Sequence, residues 1–113
     1  MPQSPLSIIS HGSMIFGQGI SSALNVTAAS VIKATPGRVV RITVLGVVGT
    51  AGALTVNDCA TVATATAANE IFTLAFGSAT PGTIITLDFP CQTGIVISAV
   101  PTGGTPLFAV SYV

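Results

Sequence analysis

Short apolar runs separated by turn residues follow one another from Asn25 to the end of the chain. Thr, Val and Ile dominate these runs, and β-branched residues suit a pleated strand. The pattern predicts seven strands, near residues 26–34, 38–48, 53–59, 70–76, 83–88, 94–100 and 106–113. Short strands at regular spacing predict an all-β chain, with a single β-sandwich or jelly-roll-like domain over residues 26–113.

Several of the predicted strands are apolar on both faces. In the strand near 94–100, Ile95 and Ile97 share one face, while Val96 and Val100 share the other. A strand with two apolar faces lies between the core and a second covered surface. We therefore expect some of the outer surface of the domain to be covered.

Gly and Pro mark the turns between the predicted strands. Pro36-Gly37 fits the centre of a type II turn, in which glycine takes the position with positive φ. Residues 49–52 and 81–82 carry the same chemistry, and residues 102–104 predict a last hairpin turn. The Ala/Thr-rich stretch 59–69 predicts a loop or a short helix.

Residues 1–25 differ from the rest of the chain, because prolines and glycines interrupt every regular pattern there. The segment is nevertheless apolar, so it needs another surface on which to bury its side chains. We interpret it as an extended N-terminal arm that docks on a neighbouring subunit. The alternative is an edge strand of its own domain. The predicted partner-contact residues are Leu6, Ile8, Ile9, Ile15 and Phe16.

Charge is scarce along the whole chain. Only 5% of the 113 residues are charged and the net charge is zero, whereas an ordinary globular chain is about 25% charged. The charged residues are Lys33, Arg38, Arg41, Asp58, Glu70 and Asp88. Such a surface is weakly hydrated and gives no repulsion between copies. It predicts a homo-oligomer, with a trimer favoured. The alternative is a monomer with a Thr/Ser-coated surface.

Arg38 and Arg41 lie three residues apart on one predicted strand, which places them on opposite faces of a regular sheet. We expect one of them to pair with a carboxylate, because an unpaired charge costs free energy when it is desolvated.

The composition argues against several partners. Three basic residues offset by three acidic ones make no phosphate-binding footprint, so we expect no nucleic acid. No segment supplies about 20 consecutive apolar residues, so we expect no membrane span.

The start of the chain has no secretory leader pattern, which predicts synthesis in a cytoplasm. There we expect Cys59 and Cys91 to be reduced, although a bridge between two strands is the alternative.

The residues of catalysis are also missing. The single histidine, His11, falls in the arm, and Ser or Thr nucleophiles therefore lack a base. Asp58, Glu70 and Asp88 fall at predicted strand ends, where carboxylates cap turns or pair with arginine. We find no phosphate-binding or dinucleotide motif and no convincing zinc ligand set. We expect no enzyme activity, no cofactor, no metal and no catalytic residues.

Four segments give the chain a family resemblance: residues 31–41, 55–58, 87–97 and 109–113. They resemble small virion structural proteins of tailed bacteriophages, in which a strand, a Pro-Gly turn and an arginine open a compact β domain. The resemblance covers about residues 31–113 and rests on general β-and-turn patterns. It implies a capsid decoration (cement) protein, a head-spike base or a tail-associated subunit, often trimeric. The implied partners are further copies of the chain and the major capsid protein or another virion subunit. The implied location is the virion, assembled in the host cytoplasm.

Two other classes of protein share parts of this composition. A bacterial surface or fimbrial-type subunit also favours Thr, Ala, Gly and two cysteines, but would carry a secretory leader and a disulfide. A small carbohydrate-binding sandwich needs exposed aromatic platforms. The chain has no Trp and only Tyr112, so this class is the least favoured.

Overall fold

The computed structural model describes residues 20–46 and 48–113, and the predicted contact residues of the arm lie outside these ranges. The described residues form an all-β fold, with three single 3₁₀ turns at Val62–Thr64, Ala67–Asn69 and Phe76–Ser78. Its strands are β1 (Ser21–Val26), β2 (Ser30–Lys33), β3 (Gly37–Val44), β4 (Val48–Ala51), β5 (Ala53–Asn57), β6 (Glu70–Ala75), β7 (Ile84–Cys91), β8 (Ile95–Ala99), β9 (Thr102–Gly104) and β10 (Phe108–Tyr112).

Eight of these strands form two four-stranded sheets. Sheet A has the order β1-β10-β3-β7 and sheet B the order β2-β8-β5-β6, and every pairing within them is antiparallel. The short strands β4 and β9 pair separately at one end. Strands that follow one another along the chain mostly alternate between the sheets. This is the jelly-roll order, which confirms the predicted fold class.

The core lies between the two sheets. It is built from the inward-facing residues of both: Val26, Val39, Ile42, Val44, Leu54, Val56, Ile95, Ile97, Phe108 and Val110. Their β-branched and aromatic side chains interdigitate as two sheet faces about 10 Å apart require. Most of them come from alternate positions, so the period-2 pattern of the sequence identifies the buried face.

Strand β3 contains an irregularity that reverses one expectation. Its register shifts between Val39 and Arg41 against both neighbours, which is the pattern of a β-bulge. Because one extra residue is accommodated there, Arg38 and Arg41 both lie on the exposed side while Val39 and Ile42 are buried. The prediction that the two arginines point to opposite faces is therefore wrong.

The predicted turns are only partly confirmed. Gly52 and Gly82 adopt φ values of +83° and +91°, as turn glycines do. Gly37 does not: it begins β3 and shows no positive φ. A Cβ at this position would lie 2.2 Å from the carbonyl oxygen of Val113. Close approach of two backbones, rather than a left-handed turn, thus requires glycine at this position.

The predicted hairpin turn at residues 102–104 is wrong, because these residues form β9 and pair with β4, which includes residues 49–51 of another predicted turn.

The first described strand overlaps the predicted arm. Strand β1 begins at Ser21 and pairs with β10, from Ser21 opposite Tyr112 to Val26 opposite Phe108. Residues 21–25 therefore belong to the sandwich, five residues before the boundary expected from sequence. The predicted strand 26–34 is divided between β1 and β2 because the chain passes from sheet A to sheet B between them.

Candidate assembly surface

The outer face of sheet A carries a row of small and apolar side chains, beside which lie the exposed charged residues Arg38, Arg41 and Asp88. Across its middle, Ala109 pairs with Thr43, and Thr43 with Ile84. Leu24 lies at the same level on β1, in the interval between the pairs Ala23–Val110 and Val26–Phe108. One row of the sheet thus runs from Leu24 at one edge, across two small residues, to Ile84 at the other.

Both ends of this row are exposed. Leu24 is 72% exposed and Ile84 is 62% exposed, and both are large aliphatic residues. Strands β1 and β7 each pair with a single strand among the described residues. An uncharged edge strand that carries exposed aliphatic side chains offers free hydrogen-bonding groups to another strand. Among the described residues, these two edges are therefore open to pairing with another strand.

Irregular backbone limits how much of each edge is open. Asn25 on β1 and Asp88 on β7 adopt left-handed conformations, with φ of +59° and +46°. Such positions interrupt regular pairing. Pro90 lacks a backbone N–H and cannot donate to a further strand. The regular open stretches are therefore residues 21–24 and 84–87, which have equal lengths.

The charges beside this face are mostly engaged. Nη1 of Arg38 donates to Oδ1 of Asp88 at 3.2 Å and to the backbone carbonyl of Asp88 at 3.0 Å. This confirms the expectation that one arginine pairs with a carboxylate. Both side chains are largely exposed, so the pair contributes little to stability. Arg41 is the other cation of this face, and it makes no ion pair within the described residues.

Sheet B has a different outer face, because the chain covers it with its own loop. The turn at Val62–Thr64 packs against β8. Val96 belongs to β8 and is fully buried, although it lies outside the core cluster between the sheets. The second apolar face predicted for this strand is therefore covered by residues of the same chain and gives no indication of a partner.

Buried Asn57 holds this covering loop in place. Its Nδ2 donates to the Thr66 carbonyl at 2.9 Å and to Oδ1 of Asn69 at 2.7 Å. Its Oδ1 accepts a 2.6 Å hydrogen bond from the Ser98 hydroxyl. Every heavy polar atom of the side chain therefore has a partner, as a buried amide requires.

Asp58 fastens the start of the loop to the segment before β8. Its carboxylate accepts backbone N–H bonds from Gln92 and Thr93, both at 2.8 Å, and from Gly94 at 3.2 Å. Burial by itself raises the pKa of the Asp58 carboxyl. The three donors together outweigh burial and hold that pKa below its ordinary value. Asp58 is thus an ionised structural residue.

A shallow cavity of about 320 Å³ opens between this loop and sheet B, beside Thr55, Asn57, Thr66, Glu70 and Ser98. Asn57 is already saturated by its hydrogen bonds, and Glu70 is the only carboxylate in the lining. Acid–base catalysis by paired carboxylates needs a second carboxyl group nearby. Among the described residues, no three His, Cys, Asp or Glu side chains cluster as metal ligands.

Cys59 and Cys91 are both buried and unbridged. The Cys59 thiol donates to the Thr61 carbonyl at 3.3 Å. Burial, together with the nearby Asp58 and Cys59, raises the pKa of the Cys91 thiol to about 11. A thiol with so high a pKa carries almost no thiolate at neutral pH, so Cys91 is a poor nucleophile.

Leu24 and Ile84 were not among the contact residues predicted from sequence. Ile84 falls in a predicted strand, where the pattern does not distinguish it from core residues, and Leu24 falls in the segment predicted to be the arm. Only the strand order identifies them as exposed edge positions.

No family model, curated protein or solved structure matches this chain. Within the described residues, no helix is long and apolar enough to cross a bilayer.

Proposed function

We propose that this chain is a virion structural protein, and specifically a capsid decoration (cement) protein that binds and stabilises a phage head as an oligomer. It resembles small virion proteins of tailed bacteriophages over about residues 31–113. Its jelly-roll order adds support, because viral capsid proteins use this architecture repeatedly. Lectins and cupins share the architecture, so fold alone does not assign the function.

The observation that carries the proposal is the outer face of sheet A with its two open edges. One uncharged row of this face ends on exposed Leu24 and Ile84. Full burial of one such side chain contributes about 1.5–3 kcal/mol. In a closed oligomer the contribution is repeated at every subunit boundary, so a small domain can reinforce a much larger shell.

Two of the three carboxylates make structural contacts, which is compatible with a structural role. The carboxylates of Asp58 and Asp88 are engaged in holding the backbone and an ion pair. The cavity beside Glu70 lacks a second titratable group. The proposed function uses surface complementarity between subunits and requires neither a cofactor nor a reaction.

The segment before β1 is assigned to the contact with the capsid or with a neighbouring subunit. Burying Leu6, Ile8, Ile9, Ile15 and Phe16 would contribute about 1.5–3 kcal/mol each. Ordering the backbone costs about 1–2 kcal/mol per residue. Burial of these five side chains alone does not offset the cost of ordering the whole segment, so we expect the segment to become fixed only where a partner surface adds further contacts.

Mass spectrometry of gradient-purified tailed particles from the source culture tests the proposal. We expect the chain in the particles, in a fixed ratio to the major capsid protein. A variant that lacks residues 1–19 should remain folded but should bind particles more weakly than the full chain. Absence from the particles, with recovery in the cell-surface fraction, would contradict the proposal and support the fimbrial-type alternative.

A further inference from the structure

We propose that copies of this chain join through sheet A, with β7 of one copy hydrogen-bonded to β1 of the next, in a head-to-tail ring. The inference rests on the homo-oligomer of the proposed function and names the surface that forms it. The occupant of each open edge is thus a second copy of the same chain.

The direction of the strands permits this arrangement. Sheet A has four strands that are all antiparallel to their neighbours, so its two edges, β1 and β7, run in opposite directions. A second copy in the same orientation therefore places its β1 antiparallel to the first copy's β7. Such a contact joins two different patches, and it gives a ring where the rotation between copies closes.

The register also fits. Within sheet A, Ser22 lies in the same row as Thr86, Ala23 as Ile85, and Leu24 as Ile84. Copies that meet at the same level therefore place Leu24 of one directly opposite Ile84 of the next. Two exposed aliphatic side chains would then pack as a cross-strand pair. The open stretches 21–24 and 84–87 would pair along their full lengths.

Charge does not oppose this contact. Neither open stretch contains a charged residue. Asp88, which follows the stretch on β7, already binds Arg38 and adds no unpaired carboxylate to the edge. Native edge strands commonly avoid association by carrying lysine or other charges. In the regular stretches of β1 and β7 that protection is missing.

The contact area that edge pairing supplies is smaller than that of a typical specific interface. Four paired residues span about 13 Å and a sheet is about 10 Å thick, so edge pairing alone covers on the order of 130 Å² per copy. Specific interfaces bury about 1,200–2,000 Å² in total. The predicted docking of Leu6, Ile8, Ile9, Ile15 and Phe16 on a neighbouring subunit would add to this area.

Cysteine cross-linking tests the ring directly. Two variants of the full chain are prepared, Leu24→Cys and Ile84→Cys, and one of them carries a tag that changes its size. The two proteins are mixed, dissociated and allowed to reassociate, and the mixture is then mildly oxidised. Residues opposite each other in antiparallel strands have Cα atoms about 4.5–5.5 Å apart, within disulfide range. We expect covalent dimers that contain one copy of each variant. Each variant alone should yield at least tenfold less, and the double variant should give a covalent series that ends at the ring number.

The opposite results separate the two proposals. Efficient cross-linking of Ile84→Cys alone would show a twofold β7–β7 contact and overturn the ring. An oligomer by light scattering without cross-links in the mixture would also overturn it, while the proposed function would stand. A protein that is monomeric under all conditions would contradict both the ring and the proposed function, because both require an oligomer.

A second pair of variants tests the contact without cysteine. Ile84→Lys should shift the protein from oligomer to monomer at micromolar concentration, because it places a charge in the open edge. Val62→Lys is the matched control, since Val62 is also an exposed aliphatic residue but lies in the loop over sheet B. Equal dissociation by both variants, or by neither, would contradict the proposed contact.

Discussion

The contacts of Asp58 make it the most informative residue for testing how the fold is held together. Its carboxylate receives three backbone N–H groups from residues 92–94. Asp58→Asn keeps the size of the side chain and one carbonyl oxygen, but it removes the charge and presents an amide N–H₂ to donors. We expect the variant to fold and to be clearly less stable than the wild type.

The size of the loss follows from these bonds. A hydrogen bond to a charged group contributes about 1.5–3 kcal/mol. Three such bonds are weakened, but the site is only partly buried and one acceptor oxygen remains. We therefore expect the free energy of unfolding to fall by about 2–4 kcal/mol at pH 7. Urea unfolding of both proteins at one protein concentration measures it.

The pH dependence gives a second, independent readout. The pKa of Asp58 is lowered in the folded state, so its ionised form stabilises the fold. This contribution is complete above the unfolded-state pKa of about 3.9 and is lost as the pH falls through the lowered folded value. The stability difference between wild type and Asp58→Asn should therefore shrink as the pH falls below about 4.

Asp88→Asn is the matched control, because it changes the same chemical group in an exposed ion pair. We expect this variant to lose no more than about 1 kcal/mol, as exposed pairs contribute little. The reasoning would be refuted if Asp58→Asn cost no more than Asp88→Asn. A difference from wild type that stayed constant down to pH 2 would equally refute it.

Three further predictions concern the glycines, the thiols and the N-terminus. Gly94→Ala should destabilise the fold strongly, because its Cβ would lie 2.4 Å from one backbone carbonyl oxygen and 2.7 Å from another. Gly77→Ala, which meets open space, should change the thermal midpoint little. At pH 8 the Cys91 thiol, with its pKa raised to about 11, should resist alkylation in the folded protein. It should react fully in denaturant without a reductant, and a mass two hydrogens lower with no alkylation would reveal a disulfide. Deleting residues 1–19 should leave the thermal midpoint of the domain nearly unchanged. Deleting 1–24 should lower it markedly, because it removes most of β1; equal effects of the two deletions would contradict this boundary.

The strands could be predicted because local chemistry forms them. Runs of Thr, Val and Ile between turn residues identified the main strands of both sheets, and alternation within them identified the core face. The short strands β4 and β9 carry no comparable signal. They contain Gly, Thr and Ala, and they pair only because residues distant in sequence meet at one end of the sandwich.

The exposed surface was harder to predict, because it depends on strand order and on single backbone irregularities. The bulge between Val39 and Arg41 brings both arginines to one side, and no residue pattern indicates it in advance. Ile84 looks like a core residue in the sequence, whereas Leu24 falls in the segment predicted to be the arm. Their exposure follows from the position of β1 and β7 at the edges of sheet A.

The mass of the purified full-length chain in solution tests most directly whether this protein is an assembly subunit. Light scattering at micromolar concentration, with native mass spectrometry for the copy number, is sufficient. We expect a homo-oligomer, most simply three times the 11.2 kDa chain mass, that dissociates on Ile84→Lys. A stable 11.2 kDa monomer, with no larger assembly in purified particles, would contradict the account.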